Sequence, residues 1–181
     1  RLAPKSSTSV SPARHPVRAL ILTPTRELAD QVFANVTSYS EHLPLRSTVV
    51  FGGVGMDDQV KALRAGVEIV VATPGRLLDH VQQKTISLGQ VEILVLDEAD
   101  RMLDMGFIHD IKRILPLLPK ERQTLFFSAT MPSDIVTLAN SMLHDPVHVT
   151  VTPPASVVET ISQSVMFAEK AEKLIKSDCV A

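Results

Sequence analysis

The sequence is short of almost everything that would tie it to a covalent framework, a membrane or a polyanion by bulk charge. Its 181 residues include one cysteine, Cys179, so no internal disulfide can form, and a reducing compartment is the default expectation. There is no tryptophan, and aromatic residues make up 4% of the chain, so the core has to be aliphatic. No apolar run is long enough to span a bilayer, and the opening RLAPKSSTSVSPARHP lacks the apolar centre of a signal peptide. Membrane partners are therefore not expected, and a cytoplasmic location is. The net charge is −2, which excludes a general polycation; nucleic acid would have to be held by placed groups. The six histidines show no H-E-x-x-H or Cys/His spacing, so no zinc site is expected.

What is present is a 45% hydrophobic, 21% charged chain, long enough for one domain that buries roughly 70% of its unfolded surface. Residues 1–16, rich in Ser, Pro and basic side chains, are expected to be a flexible segment. Short continuous apolar runs then alternate with helical patterns. Strands are predicted at 17–23, 47–53, 67–73, 91–97, 123–129 and 146–151. Helices are predicted at 26–43, with Leu28, Val32, Val36, Tyr39 and Leu43 at helical spacing, and at 57–66, 75–83, 107–118 and 133–143. Gly66 suits the residue just past a helix end. Two-sided apolar strands alternating with helices mean a parallel sheet covered by helices on both faces. Residues 152–181 read as a connector followed by a polar tail, with 168–178 a candidate helix.

Ligands of such sheets bind beyond the carboxyl ends of the strands, and polar words follow four of these strands: Thr23-Pro24-Thr25-Arg26, Thr73-Pro74-Gly75-Arg76, Asp97-Glu98-Ala99-Asp100 and Ser128-Ala129-Thr130. In each Thr-Pro-x-Arg joint, Thr can cap the helix and Pro suits its first position. An Arg at the positive end of the helix dipole opposes that dipole unless an anion arrives. One such joint is ordinary capping with a solvated Arg; two on one rim favour phosphate. Asp97 and Glu98 after an apolar strand have the Walker B form, in which the Asp supports Mg²⁺ and the Glu acts on water; acids at a helix start are the plainer reading. If strands 91–97 and 123–129 are close, the hydroxyls of Ser128 and Thr130 can reach the Asp100 carboxylate. Asp104 fits neither role and reads as a first-turn or surface acid. His80, His109 and His144 read as solvated helix residues, Met102 and Met105 as core, and Cys179 as an unreactive tail thiol.

Taken in order, PTRELA (24–29), GG (52–53), TPGR (73–76), DEAD (97–100) and SAT (128–130) resemble motifs Ia, GG, Ib, II and III of the DEAD-box RNA helicases. The spacing and RMLDMGF after the acids resemble the bacterial RhlE-like branch, and the likeness covers about residues 17–168. It implies the first RecA-like domain of a two-domain ATPase that uses ATP and Mg²⁺ to bind RNA and open short duplexes. By position, it implies that Asp97 holds Mg²⁺ through water and Glu98 acts on the attacking water. Asp100, Ser128 and Thr130 would couple nucleotide state to RNA and to helicase domain 2, while Thr25, Arg26, Gly53, Thr73, Gly75 and Arg76 line the RNA backbone path. Such contacts need not be sequence-specific.

The 181 residues contain no G-x-x-x-x-G-K-[ST] phosphate cradle, no adenine-reading Gln motif and no second domain. The expectation is thus a RecA-like domain 1 over 17–151 that lacks its P-loop strand–helix unit, with 152–181 leading toward an absent domain 2. Alone it should be inactive toward ATP and prone to dimerisation or strand exchange through a bared strand edge. The competing expectation is a non-enzymatic RNA-binding or scaffold fragment; an enzyme acting on a different nucleotide substrate is disfavoured by the motif set.

Overall fold

The computed structural model describes residues 2–151. It divides into one compact unit over 1–145 and a second from 146 onward. In the first unit, five four-residue strands, β1 (Ala19–Leu22), β2 (Ser47–Val50), β3 (Ile69–Ala72), β4 (Ile93–Leu96) and β5 (Gln123–Phe126), form one sheet in the order β2-β3-β1-β4-β5. Every pairing is parallel. The helices are α1 (Arg26–Ser40), α2 (Asp57–Arg64), α3 (Pro74–Gln82), α4 (Ala99–Asp104), α5 (Ile108–Ile114) and α6 (Ser133–Met142).

Handedness decides which face each helix covers. The step from β1 to β2 crosses the sheet in one direction, and the steps β2–β3, β3–β4 and β4–β5 run back in the other. Right-handed crossovers therefore put α1 on one face and α2 to α5 on the opposite one. The packing agrees. Leu20, Leu22, Val70, Ala72, Leu94 and Leu96 share one buried cluster with Leu63 of α2, Leu77 of α3, Met102 of α4, Ile111 of α5 and Ile135 of α6. The other face has α1 against β2 and β3. Beyond α1 that face is thinly covered. Ile21, Ile93, Val95 and Leu125 stay partly exposed, and Phe127 is 50% exposed. Both faces carry helix, but one of them only over β2 and β3.

Several elements depart from the pattern-based reading. Pro116 ends the helix expected over 107–118: α5 stops at Ile114 and a 3₁₀ turn follows over Leu115–Leu117, because Pro lacks an N–H and its ring crowds the preceding turn. The helix expected over 26–43 stops at Ser40, and Tyr39 projects into solvent. Residues 147–150 carry no regular structure, and Val147, Val149 and Val151 are exposed. Alternating Val residues make a strand only when a ladder partner satisfies their backbone groups. The candidate helix at 168–178 and Cys179 lie outside the described residues. Gly66 does follow α2 in a left-handed conformation (φ +83°), its N–H donating to Leu63 O (3.1 Å).

The segment expected to be flexible is tied down where the structure describes it. Two 3₁₀ turns, Ala3–Lys5 and Pro12–Arg14, lead into His15, which is buried. The His15 ring bonds the Glu68 carboxylate through Nδ1 and Ser9 O through Nε2 (2.6 Å); Glu68 also accepts from Arg46 N (2.9 Å). Arg18 Nε and Lys5 Nζ donate to Glu92 at 2.8 and 3.1 Å. Sequence alone gave no sign of this. Ser/Pro-rich composition signals a lack of apolar cover, whereas here long-range ion pairs do the holding.

Candidate functional site

The four polar joints lie on one rim because the sheet ladder runs on one residue past each strand. Thr73 N donates to Val50 O, Thr23 N to Ala72 O, Asp97 N to Leu22 O and Phe127 N to Leu96 O, all at 2.8–3.0 Å. β1 and β4 are neighbours whose connections leave in opposite directions across the sheet. Their carboxyl ends bound the crevice at a topological switch point, where ligands of open α/β sheets bind. Thr23 to Thr25 stand on one side of it and Asp97 and Glu98 on the other.

The two Thr-Pro-x-Arg joints differ in detail. Thr25 caps α1, its Oγ1 accepting from Leu28 N (3.2 Å), whereas Thr73 makes no side-chain cap to α3. Arg26 is half exposed, with its guanidinium 5.8 Å from the centre of the Phe51 ring, and a Cβ on Gly53 would lie 3.5 Å from Arg26 Nη1. The Arg76 side chain is only 12% exposed. Its Nη1 and Nη2 both donate to Val54 O at 3.1 Å, and Nε faces Asp79 at 3.5 Å. So the sequence-predicted Arg26, Gly53 and Arg76 do converge, around the loop 51–55. Arg26 keeps an exposed guanidinium whose Nε lies 3.8 Å from the Glu27 carboxylate, while Arg76 is largely occupied in holding that loop. Gly75 sits in the first turn of α3, within 4 Å of Asp110 when given a Cβ.

At the DEAD segment acids do stand at a helix start, with Glu98 preceding α4 and Asp100 in its first turn, but the Glu98 side chain does not cap it. Glu98 is itself the residue before the helix and adopts a left-handed backbone (φ 51°, ψ 53°), with its carboxylate 3.7 Å from Arg101. A non-glycine residue held there is strained. The Asp97 side chain is half-buried and has no hydrogen-bond or ion-pair partner among the described residues. Asp104 ends α4 rather than starting it, and is exposed.

Asp100 links this segment to the next joint. Its Oδ2 accepts from Thr130 N (2.9 Å) and Thr130 Oγ1 (2.8 Å). The Ser128 hydroxyl reaches backbone instead, accepting from Asp100 N (3.1 Å) and donating to Thr130 O (2.7 Å). Burial alone would raise the Asp100 carboxyl; the hydrogen bonds from the Thr130 hydroxyl and amide, with the Ser128 hydroxyl and the Arg101 amide close by, outweigh it and hold the pKa below its ordinary value.

His80 is corrected outright. It is fully buried, bonded to Thr85 and Gln59, and burial with the nearby Arg76 charge lowers its pKa. On the helix α3 it falls on the inward face beside Leu77, a position that spacing from Leu77 and Leu78 would have revealed. Met102 is core as expected, while Met105 is half exposed.

No group of three or more His, Cys, Asp or Glu side chains able to hold a metal is found among the described residues. An unpartnered strand-end carboxylate does fit Mg²⁺, which keeps several waters and binds through one or two carboxylates plus substrate phosphates.

A parallel α/β sheet with an acid pair at its switch point and two Thr-Pro-x-Arg joints along the same rim has the architecture of a RecA-like domain. The comparison with known families is specific: the model for the DEAD/DEAH box helicase matches residues 5–138, and the chain belongs to that family. It is 46% identical over 156 residues to DEAD-box ATP-dependent RNA helicase 24 of Arabidopsis thaliana, covering 86% of this chain and 20% of that protein. It is 50% identical over 130 residues to ATP-dependent RNA helicase CshA of Listeria monocytogenes, covering 72% and 25%. It is 44% identical over 159 residues to ATP-dependent RNA helicase RhlB of Xanthomonas axonopodis, covering 86% and 28%. The crystal structure of a DEAD box protein from Methanococcus jannaschii superposes with a TM-score of 0.68 at 45% identity, over 72% of this chain and 36% of that one. These relatives come from several branches of the family and do not single out the RhlE-like one. The chain spans well under half the length of each.

Proposed function

We propose that this chain is part of an ATP-dependent RNA helicase and that its rim carries the RNA-backbone and Mg²⁺–ATP contacts of a first helicase domain. The observation that carries this is the Asp100–Thr130 clasp, which ties the acid segment to the joint after β5 at the switch point. In this reading ATP supplies the free energy of phosphoryl transfer when bound. Asp97 would hold Mg²⁺ through water, and Glu98, on its strained backbone, would orient the attacking water. Asp100, Ser128 and Thr130 would pass the nucleotide state to the RNA side and to a second helicase domain. Thr25, Arg26, Gly53, Thr73, Gly75 and Arg76 would follow the phosphodiester backbone without reading bases.

The 181 residues hold no phosphate-cradling P-loop pattern, so the chain alone is proposed to bind RNA weakly, with Kd of roughly 10⁻⁴–10⁻⁶ M, and not to turn over ATP. Anisotropy of a labelled oligouridylate at low salt tests the first part; unchanged binding by Arg26→Ala combined with Arg76→Ala rejects it. RNA-stimulated ATP turnover that Glu98→Gln abolishes would reject the second. The partly exposed apolar strip of Ile93, Val95, Leu125 and Phe127 beside the edge strand β5 supports association between copies; a monodisperse monomer by light scattering counts against it. A cytoplasmic location is also proposed; no helix among the described residues is long and apolar enough to cross a membrane.

A further inference from the structure

The loop 51–55 is pinned by its carbonyls. Gln59 Nε2 donates to Phe51 O (3.1 Å) and Gly55 O (3.3 Å), and Arg76 donates twice to Val54 O. The amide N–H groups of Gly52, Gly53, Val54 and Gly55 make no hydrogen bond among the described residues. Successive free amides in a turn form an anion-binding concavity, and the carbonyl clamp is what keeps the opposite, acceptor side of the loop turned inward.

Gln59 is nearly buried and could present its amide either way round. Because its nitrogen is used on two loop carbonyls, its oxygen must face His80 Nε2, 3.1 Å away. Nε2 therefore carries a proton. Nδ1 faces Thr85 Oγ1 at 2.8 Å, and that hydroxyl can donate either to Nδ1 or to His80 O at 3.0 Å. A neutral ring with its proton on Nε2 satisfies all of these contacts, and the lowered pKa that burial and Arg76 impose keeps the ring neutral.

We infer that His80 is a positioning residue: its Nε2–H, acting through Gln59, sets the 51–55 loop with carbonyls inward and amides free to meet a phosphodiester backbone. This rests on the proposed RNA reading of the rim, but the clamp itself can be read without RNA.

The experiment uses the whole 181-residue chain with three variants. His80→Phe removes the donor at similar volume, Gln59→Leu removes the relay, and His80→Gln restores a side-chain N–H aimed at Gln59. Expected are lower backbone ¹⁵N order parameters at 52–55 in the first two variants and near-native values in His80→Gln, with the β3 amides and circular dichroism as fold controls. Oligouridylate binding should weaken about three- to tenfold in the first two, the scale of one lost hydrogen bond, and recover in His80→Gln. The slope of log affinity against log salt should stay constant, since no cationic side chain is removed and an amide contact releases no counterion. Histidine ¹⁵N spectra should show the His80 proton on Nε2. Unchanged order parameters at 52–55 in both His80→Phe and Gln59→Leu overturn the clamp, as does a His80 proton on Nδ1 alone. Loosened amides with unchanged RNA affinity overturn its link to RNA. If the unaltered chain binds no oligouridylate, the RNA reading of the rim falls, while the order parameters still decide the clamp.

Discussion

Asp100 and Thr130 are thirty positions apart in sequence, yet one carboxylate oxygen of Asp100 accepts both the amide and the hydroxyl of Thr130. Two segments that follow neighbouring strands are thereby held at fixed separation. Thr130→Val keeps the shape and removes the hydroxyl. The Asp100 carboxyl should then titrate closer to its ordinary value, followed by side-chain carboxyl NMR. A double-mutant cycle of Asp100→Asn with Thr130→Val should give a coupling of about 0.5–3 kcal/mol. The sign of the pH effect follows from the depressed folded pKa. The clasp contributes fully above the unfolded value and is lost as pH falls through the folded one, so Thr130→Val should blunt the acid limb of the stability curve.

The two threonine joints make a matched comparison. Thr25→Ala removes a cap that α1 uses and should cost about 1 kcal/mol in urea denaturation. Thr73→Ala removes no side-chain cap and should cost clearly less. Equal losses would mean that capping is not what distinguishes them.

Arg26 and Arg76 should separate by salt. Arg26→Ala is expected to reduce the salt slope of RNA binding by about 0.7, the value for one phosphate contact on a single strand. Arg76→Lys should leave most of that slope intact but loosen the loop, because an ammonium cannot reproduce the paired guanidinium donation to Val54 O. Backbone ¹⁵N order parameters at Val54 and Gly55 check the second half.

His80 carries the opposite kind of pH signature from an exposed histidine. Its folded pKa lies below the ordinary 6.5, so the unfolded chain binds its proton first as pH falls. Stability from this residue is complete above pH 6.5 and declines as pH drops through the folded value. His80→Gln should flatten thermal stability across that window, read as Tm against pH.

At the other end of the sheet, His15 and Glu68 are both 1% exposed. Removing one partner leaves a buried polar group of the other without its hydrogen bond, at about 1–3 kcal/mol. His15→Ala should lower the urea midpoint on that scale. Gly66→Ala should also destabilise, since its Cβ would lie 2.8 Å from Pro12 O at a positive φ.

Pattern reading found what periodicity encodes. All five strands fall inside the predicted runs, and the four polar joints share a rim because parallel strands must end at one edge. It missed what depends on partners. Glu68 and His15 are distant in sequence and polar, so no local signal marks them as buried. His80 looked solvated because it is polar, although its helical phase pointed inward. The segment at 146–151 had the right alternation, which is necessary for a strand and not sufficient. At residues 97–104 the sequence leaves a helix start and a Walker B acid pair both open, and the structure shows a short helix entered through Glu98 with Asp100 in its first turn.

That entry has a consequence for how this position can drift. A left-handed backbone favours glycine, so Glu98→Gly should raise folding stability by about 1 kcal/mol. Selection for stability alone pushes the codon away from glutamate. A population free of any demand on the carboxylate should lose it early, before the aliphatic core changes. The identity of residue 98 in related sequences therefore works as a gauge of whether the rim is still in use, and it is independent of overall sequence divergence.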